Sequence, residues 1–173
     1  MALDRTMVDA ADTARGGSPA AAESHSDLQI TREFSVARER VWRAWTQLDA
    51  IVRWLGPSDW PAVEVTADVR VGGAWRACLR SRNDDRLLWQ SGRYLVVEPP
   101  ERLEFTFAWE GSNHEDGPGV ETRVTVILEP TATGGTRMRF SQTGLLSRQS
   151  AAGHLKGWES TFERLDELLT SPS

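Results

Sequence analysis

The chain has 173 residues, a formal net charge of −5, eight tryptophans and one cysteine, Cys78; that length excludes two ordinary domains, and a lone cysteine excludes an internal disulfide. The acidic balance comes without a basic stripe, which excludes nucleic acid and anionic membranes as expected partners, and no run approaches the ~18 apolar residues of a membrane span. The expectation is a soluble, cytoplasmic, monomeric protein that needs no metal or cofactor.

Residues 1–26 are rich in Ala, Asp, Ser, Thr and Gly, contain Gly16-Gly17-Ser18-Pro19 and lack an apolar period. They are expected to form a disordered tail, with the folded domain over residues 27–171. Leu28, Ile30, Phe34 and Val36 then share one face of an extended segment, as in a half-buried strand. Val41, Trp45 and Leu48 follow helical spacing, and Asp49 is placed to cap a second short helix through Trp54, which Gly56-Pro57 stops. Two short helices after a first strand make a V-shaped brace.

Six further segments read as strands: Val63 to Val71, Ala74 to Arg82, Leu87 to Glu98, Arg102 to Trp109, Val120 to Glu129 and Thr136 to Thr143. Gly72-Gly73, Asn83-Asp84-Asp85, Pro99-Pro100, the Gly111 to Gly119 loop and Gly134-Gly135 supply the turns between them. The chain then changes period. From Ser147 to Leu169 a helix of roughly 33 Å carries Leu155, Trp158, Phe162, Leu165 and Leu169 along one side. Gly153 and Gly157 each cost that helix about 1 kcal/mol relative to alanine, which predicts close packing or a bend there.

Sequential strands joined by tight turns form an antiparallel meander, and right-handed twist curls a meander of this length toward an incomplete barrel that the last helix can plug. The expected fold is therefore α+β: a seven-stranded curved antiparallel sheet, two short helices, and a long C-terminal helix over a hydrophobic cavity. A flat aromatic guest would suit such a space, because Trp75, Trp89, Phe107 and Trp109 lie on strands and Trp158 on the helix. Trp42, Trp45 and Trp54 belong to the brace and read as core.

Tyr94, the only tyrosine, would orient a carbonyl or phenol if it points inward. His154, one turn before Trp158, would lie on the same helix face and could move a proton. His114 sits in a polar loop placed to cover a cavity mouth, and Arg123 could pair with an acidic group of a guest from its strand. Arg93 and Arg139 read as solvated, Cys78 as a small core residue, and His114-Glu115-Asp116 as no metal site. No nucleophile elbow, phosphate-cradling loop or dinucleotide fingerprint is present.

Four ordered motifs carry a family resemblance: Trp54-Leu55-Gly56-Pro57, Asp68-Val69-Arg70-Val71-Gly72-Gly73-Ala74-Trp75-Arg76, Glu98-Pro99-Pro100-Glu101-Arg102-Leu103, and Gly157-Trp158 with the downstream leucines. Over about Leu28 to Leu169 the chain resembles the activator of heat-shock-protein-90 ATPase family. That resemblance implies the helix-grip fold of the START-like or SRPBCC superfamily, known also from the birch pollen allergen. Members of the superfamily include lipid and hormone carriers, polyketide aromatases and cyclases, and enediyne self-resistance proteins. The resemblance thus implies binding of a hydrophobic, aromatic or polyketide-like small molecule, in natural-product biosynthesis or self-resistance. Two other readings accompany it: a polyketide cyclase or aromatase using Tyr94 and His154, and a chaperone ATPase co-factor.

Overall fold

The computed structural model describes residues 26–111 and 120–172. Strand β1 (Ser26–Phe34) leads into helices α1 (Arg38–Thr46) and α2 (Leu48–Trp54). Strands β2 (Ala62–Ala67), β3 (Ala74–Arg80), β4 (Leu87–Glu98), β5 (Arg102–Glu110), β6 (Thr122–Pro130) and β7 (Thr136–Leu145) follow, and helix α3 (Arg148–Thr170) ends the chain. All neighbours pair antiparallel in one seven-stranded sheet of order β1-β7-β6-β5-β4-β3-β2. The α+β architecture expected from the period changes is the one observed, with β1 closing the sheet beside β7 rather than beside β2.

Alternation along the strands sets two faces. On β5, Leu103, Phe105 and Phe107 are buried toward the helices, while Glu104 between them lies on the opposite side. The core joins that concave face to the brace and to α3. Trp45 stacks edge-on against Trp54 at 4.7 Å between ring centres, and Phe140 of β7 packs on Trp158 and Phe162 of α3 at 4.6 and 5.0 Å. Trp54 also donates its indole N–H to the Ala44 carbonyl at 2.8 Å, which joins the two brace helices.

A glycine opposite an aromatic residue shapes the wall. Trp75 on β3 pairs with Gly92 on β4, and its indole reaches across Gly92 to donate to the Thr106 carbonyl of β5 at 3.0 Å. A Cβ on Gly92 would stand 1.8 Å from that carbonyl oxygen and 2.6 Å from the indole nitrogen. Only glycine permits the bond.

Three local expectations are corrected. Strand β2 stops at Ala67 because Asp68 to Gly73 folds into a turn, with Arg70 N–H donating to the Asp68 carbonyl and Gly73 N–H to that of Arg70. Asp49 does not cap α2: Gln47 holds the cap position without a side-chain bond, and Asp49 lies in the first turn, where its charge still favours the helix dipole. Helix α3 is one continuous helix across Gly153 and Gly157, and neither glycine packs closely against another part of the fold. Ser147 caps it by accepting from Ser150 N–H at 3.0 Å. The expected N-terminal tail and His114 lie outside the described residues.

Candidate functional site

A cavity of about 390 Å³ opens between the sheet and the first half of α3. Its wall is Leu79 of β3, Leu88 and Gln90 of β4, and Phe107 and Trp109 of β5. The α2–β2 connection supplies a lip from Leu55, Gly56, Pro57 and Trp60. The roof is one face of α3, Ser150, Gly153, His154, Gly157, Trp158 and Thr161, at the i, i+3, i+4 spacing of a helical stripe. Nothing lies within 4 Å of the point a Cβ would occupy on either Gly153 or Gly157. The glycines therefore do not pack closely against another part of the fold, contrary to the first of the two sequence expectations. They withhold side chains from the roof, and the space remains open.

A second chamber of about 40 Å³ lies against the brace, lined among others by Trp45, Trp54, Trp75 and Tyr94. Leu55, Gln90, Phe107 and Trp158 line both chambers, so the two adjoin. No lining residue of either chamber, among the described residues, is an acid, a lysine or an arginine.

Polar groups around the chambers divide into wired and unwired. Trp109 donates its indole N–H to Nε2 of His154 at 3.1 Å, and His154 Nδ1 lies 2.9 Å from the Ser150 carbonyl. Because an indole N–H only donates, Nε2 accepts and the ring proton sits on Nδ1. Both ring nitrogens are engaged. Farther along α3, Trp158 donates to Gln142 Oε1 at 2.9 Å, Gln142 Nε2 donates to the Thr122 hydroxyl at 2.8 Å, and that hydroxyl donates to the Phe107 carbonyl at 3.1 Å. This chain ties the roof to β7, β6 and β5 with every member satisfied.

Gln90 is the contrast. It is only 3% exposed, faces Ala77 on one side and Trp109 on the other in the sheet register, and its amide bonds to no described residue. Its amide edge meets cavity space instead. The Trp45 indole N–H also lacks a partner but is sealed within the packing, and the Tyr94 hydroxyl bonds to no described residue. Burial pushes the Tyr94 hydroxyl up to about 12, so it stays a neutral phenol.

The lip is held from above. Arg164 of α3 donates to the carbonyls of Leu55 at 2.9 Å, Gly56 at 2.8 Å and Arg53 at 2.9 Å, satisfying the last turn of α2 with a cation where the helix dipole is negative. Gly56 turns there at φ +87°, and a Cβ would meet the Trp60 carbonyl oxygen at 2.2 Å. Trp60 is thereby set beside the opening.

Of the residues singled out from sequence, the fold brings Trp75, Tyr94, Phe107, Trp109, His154 and Trp158 to the chambers. Trp89 and Arg123 are corrections. Trp89 is one residue out of phase with Gln90, so the pleat turns it to the convex face, where the Arg76 guanidinium stacks 3.7 Å above its ring. Arg123 is likewise convex, bonded through Nε at 2.8 Å to Glu104. Cys78 is buried and lines neither chamber, and burial raises its thiol above the ordinary range. Sequence reasoning missed Gln90 and Trp60, and it singled out the roof glycines for close packing or a bend rather than for room; a glutamine in phase with Leu88 and Tyr94 was the available signal for Gln90.

The family model described as Activator of Hsp90 ATPase homolog 1-like protein matches residues 35–170. Among solved structures, a protein from Arthrobacter aurescens is 29% identical with a TM-score of 0.74, covering 85% of this chain and 87% of its own. The AHSA1 protein from Silicibacter pomeroyi is 26% identical with a TM-score of 0.71, covering 83% of this chain and 97% of its own. A protein from Chromobacterium violaceum, 23% identical with a TM-score of 0.73 over 84% of this chain and 99% of its own, shares the fold. No curated protein matches the sequence.

Proposed function

Because the chain belongs to the Activator of Hsp90 ATPase homolog 1-like family, with its START-like helix-grip fold, we propose that it is a container for a hydrophobic aromatic small molecule. The observation that carries this reading is the pair Gly153 and Gly157. A helix with an apolar stripe elsewhere gives up about 1 kcal/mol at each of two positions whose shared property is that they face a 390 Å³ chamber. Phe107, Trp109, Trp158 and Trp60 offer aromatic surface to whatever occupies it. A fused-ring, polyketide-like skeleton of the kind handled in natural-product and enediyne pathways matches such a wall.

Binding rather than turnover is the reading favoured by the polar groups. His154 holds its one ring proton toward the Ser150 carbonyl and receives the Trp109 N–H on its other nitrogen, so neither nitrogen faces the guest as a ready base. Tyr94 remains a phenol across the physiological range. Enclosure could still favour a cyclisation intrinsic to the guest.

The test uses N-phenyl-1-naphthylamine, a neutral probe whose emission rises in apolar surroundings. Wild-type protein is expected to bind it with saturable enhancement, and Gly157→Leu, which places an isobutyl group in the roof space, to lose most of it. Equal enhancement by both proteins would refute the container reading.

A further inference from the structure

Gln90 and Gln142 are both buried glutamines of the same sheet, and they differ in one respect. Gln142 uses its carbonyl toward Trp158 and its amide nitrogen toward Thr122. Gln90 uses neither, although it is 3% exposed. Neither amide atom is sealed within the packing, so both meet chamber space, where a guest that offers one donor and one acceptor can complete them. Leucine or methionine would fill the same place without offering that pair of groups.

Resting on the container reading, we infer that Gln90 is a recognition residue for an uncharged lactam or cis-amide edge on the aromatic guest. A primary carboxamide presents one acceptor and one donor side by side, and a cis-amide presents the matching donor and acceptor in the same plane. Gln90 lines both chambers, so a guest whose rings lie against Trp109 and Phe107 in the larger one brings that edge to their junction. The absence of acidic or cationic side chains among the described lining residues selects against a charged guest, since a carboxylate brought there would lose its water without gaining a counter-ion. The Tyr94 hydroxyl, a donor on a residue that lines the smaller chamber, makes that side of the junction suited to the guest's carbonyl oxygen.

Three bicyclic probes of one size test this on the full chain: 2-quinolone, a neutral lactam; naphthalene, its apolar counterpart; and 2-naphthoate, an anion. Titrations followed by tryptophan fluorescence are run on wild type and on Gln90→Met, a variant that removes no internal hydrogen bond. Wild type is expected to bind 2-quinolone best and 2-naphthoate least. Gln90→Met is expected to weaken 2-quinolone about five- to tenfold while naphthalene stays within about twofold. In wild type, 2-quinolone but not naphthalene should displace the Gln90 side-chain amide resonances. Equal affinity for 2-quinolone and naphthalene, or an equal loss of both in Gln90→Met, overturns the lactam assignment and leaves the container standing. Failure of all three probes to bind wild type overturns both.

Discussion

The indole N–H of Trp109 meets Nε2 of His154 at 3.1 Å, and this bond joins the sheet wall to the helical roof of the larger chamber. Its partner on the other side of the ring, the Ser150 carbonyl, already serves the helix, so the imidazole is oriented by its own backbone before it receives the indole. A double-mutant cycle of Trp109→Phe and His154→Ala in urea denaturation should give a coupling of about 0.5–1.5 kcal/mol. Strictly additive losses would mean that the two rings stabilise the fold independently.

Roof glycines should trade stability for capacity. A methyl group at Gly153 or Gly157 meets nothing within 4 Å, so each Gly→Ala change is expected to raise stability by up to about 1 kcal/mol and to lift the thermal midpoint. The double alanine variant should also bind N-phenyl-1-naphthylamine more weakly. A lowered midpoint would show that the glycines serve the helix itself.

Gly92 should behave in the opposite way. Its missing Cβ makes room for the Trp75 bond to Thr106, and alanine there collides with a backbone carbonyl rather than a movable side chain. Gly92→Ala is expected to destabilise by about 3 kcal/mol or more, read from the denaturation midpoint, whereas Trp75→Phe should lose about 1 kcal/mol from the bond plus a packing loss.

Glu104 carries a pH signature. Burial would raise its carboxyl, but the Arg123 and Arg102 guanidiniums bonded to it outweigh that effect and hold it below the ordinary 4.5. A depressed carboxyl stabilises the fold fully above its unfolded value and loses that contribution as pH falls through the folded one. Glu104→Gln should therefore destabilise by about 1–2 kcal/mol at neutral pH, the arginines being half exposed and partly screened. The gap between variant and wild type should close as pH drops below about 4.5, measured by thermal melts across an acid series. A gap independent of pH would assign the loss to shape.

The order of elements, the antiparallel meander and the long amphipathic helix were legible because each depends on local chemistry: period-2 alternation, glycine and proline turns, and a 3.6-residue stripe ending the chain. Strand β4 shows where that legibility stops. Its alternation separates Trp89 from Gln90 but does not say which set faces inward, because the direction of curvature is decided by pairing with β3 and β5 and by the helix laid across them. Trp89 looked like the ligand residue and went to the convex face; Gln90, unremarkable in the chain, reached the junction of the chambers. The same holds for Gly153 and Gly157. A glycine in a helix reads alike whether another backbone presses on it or nothing does, and only the packed structure shows that here its purpose is room.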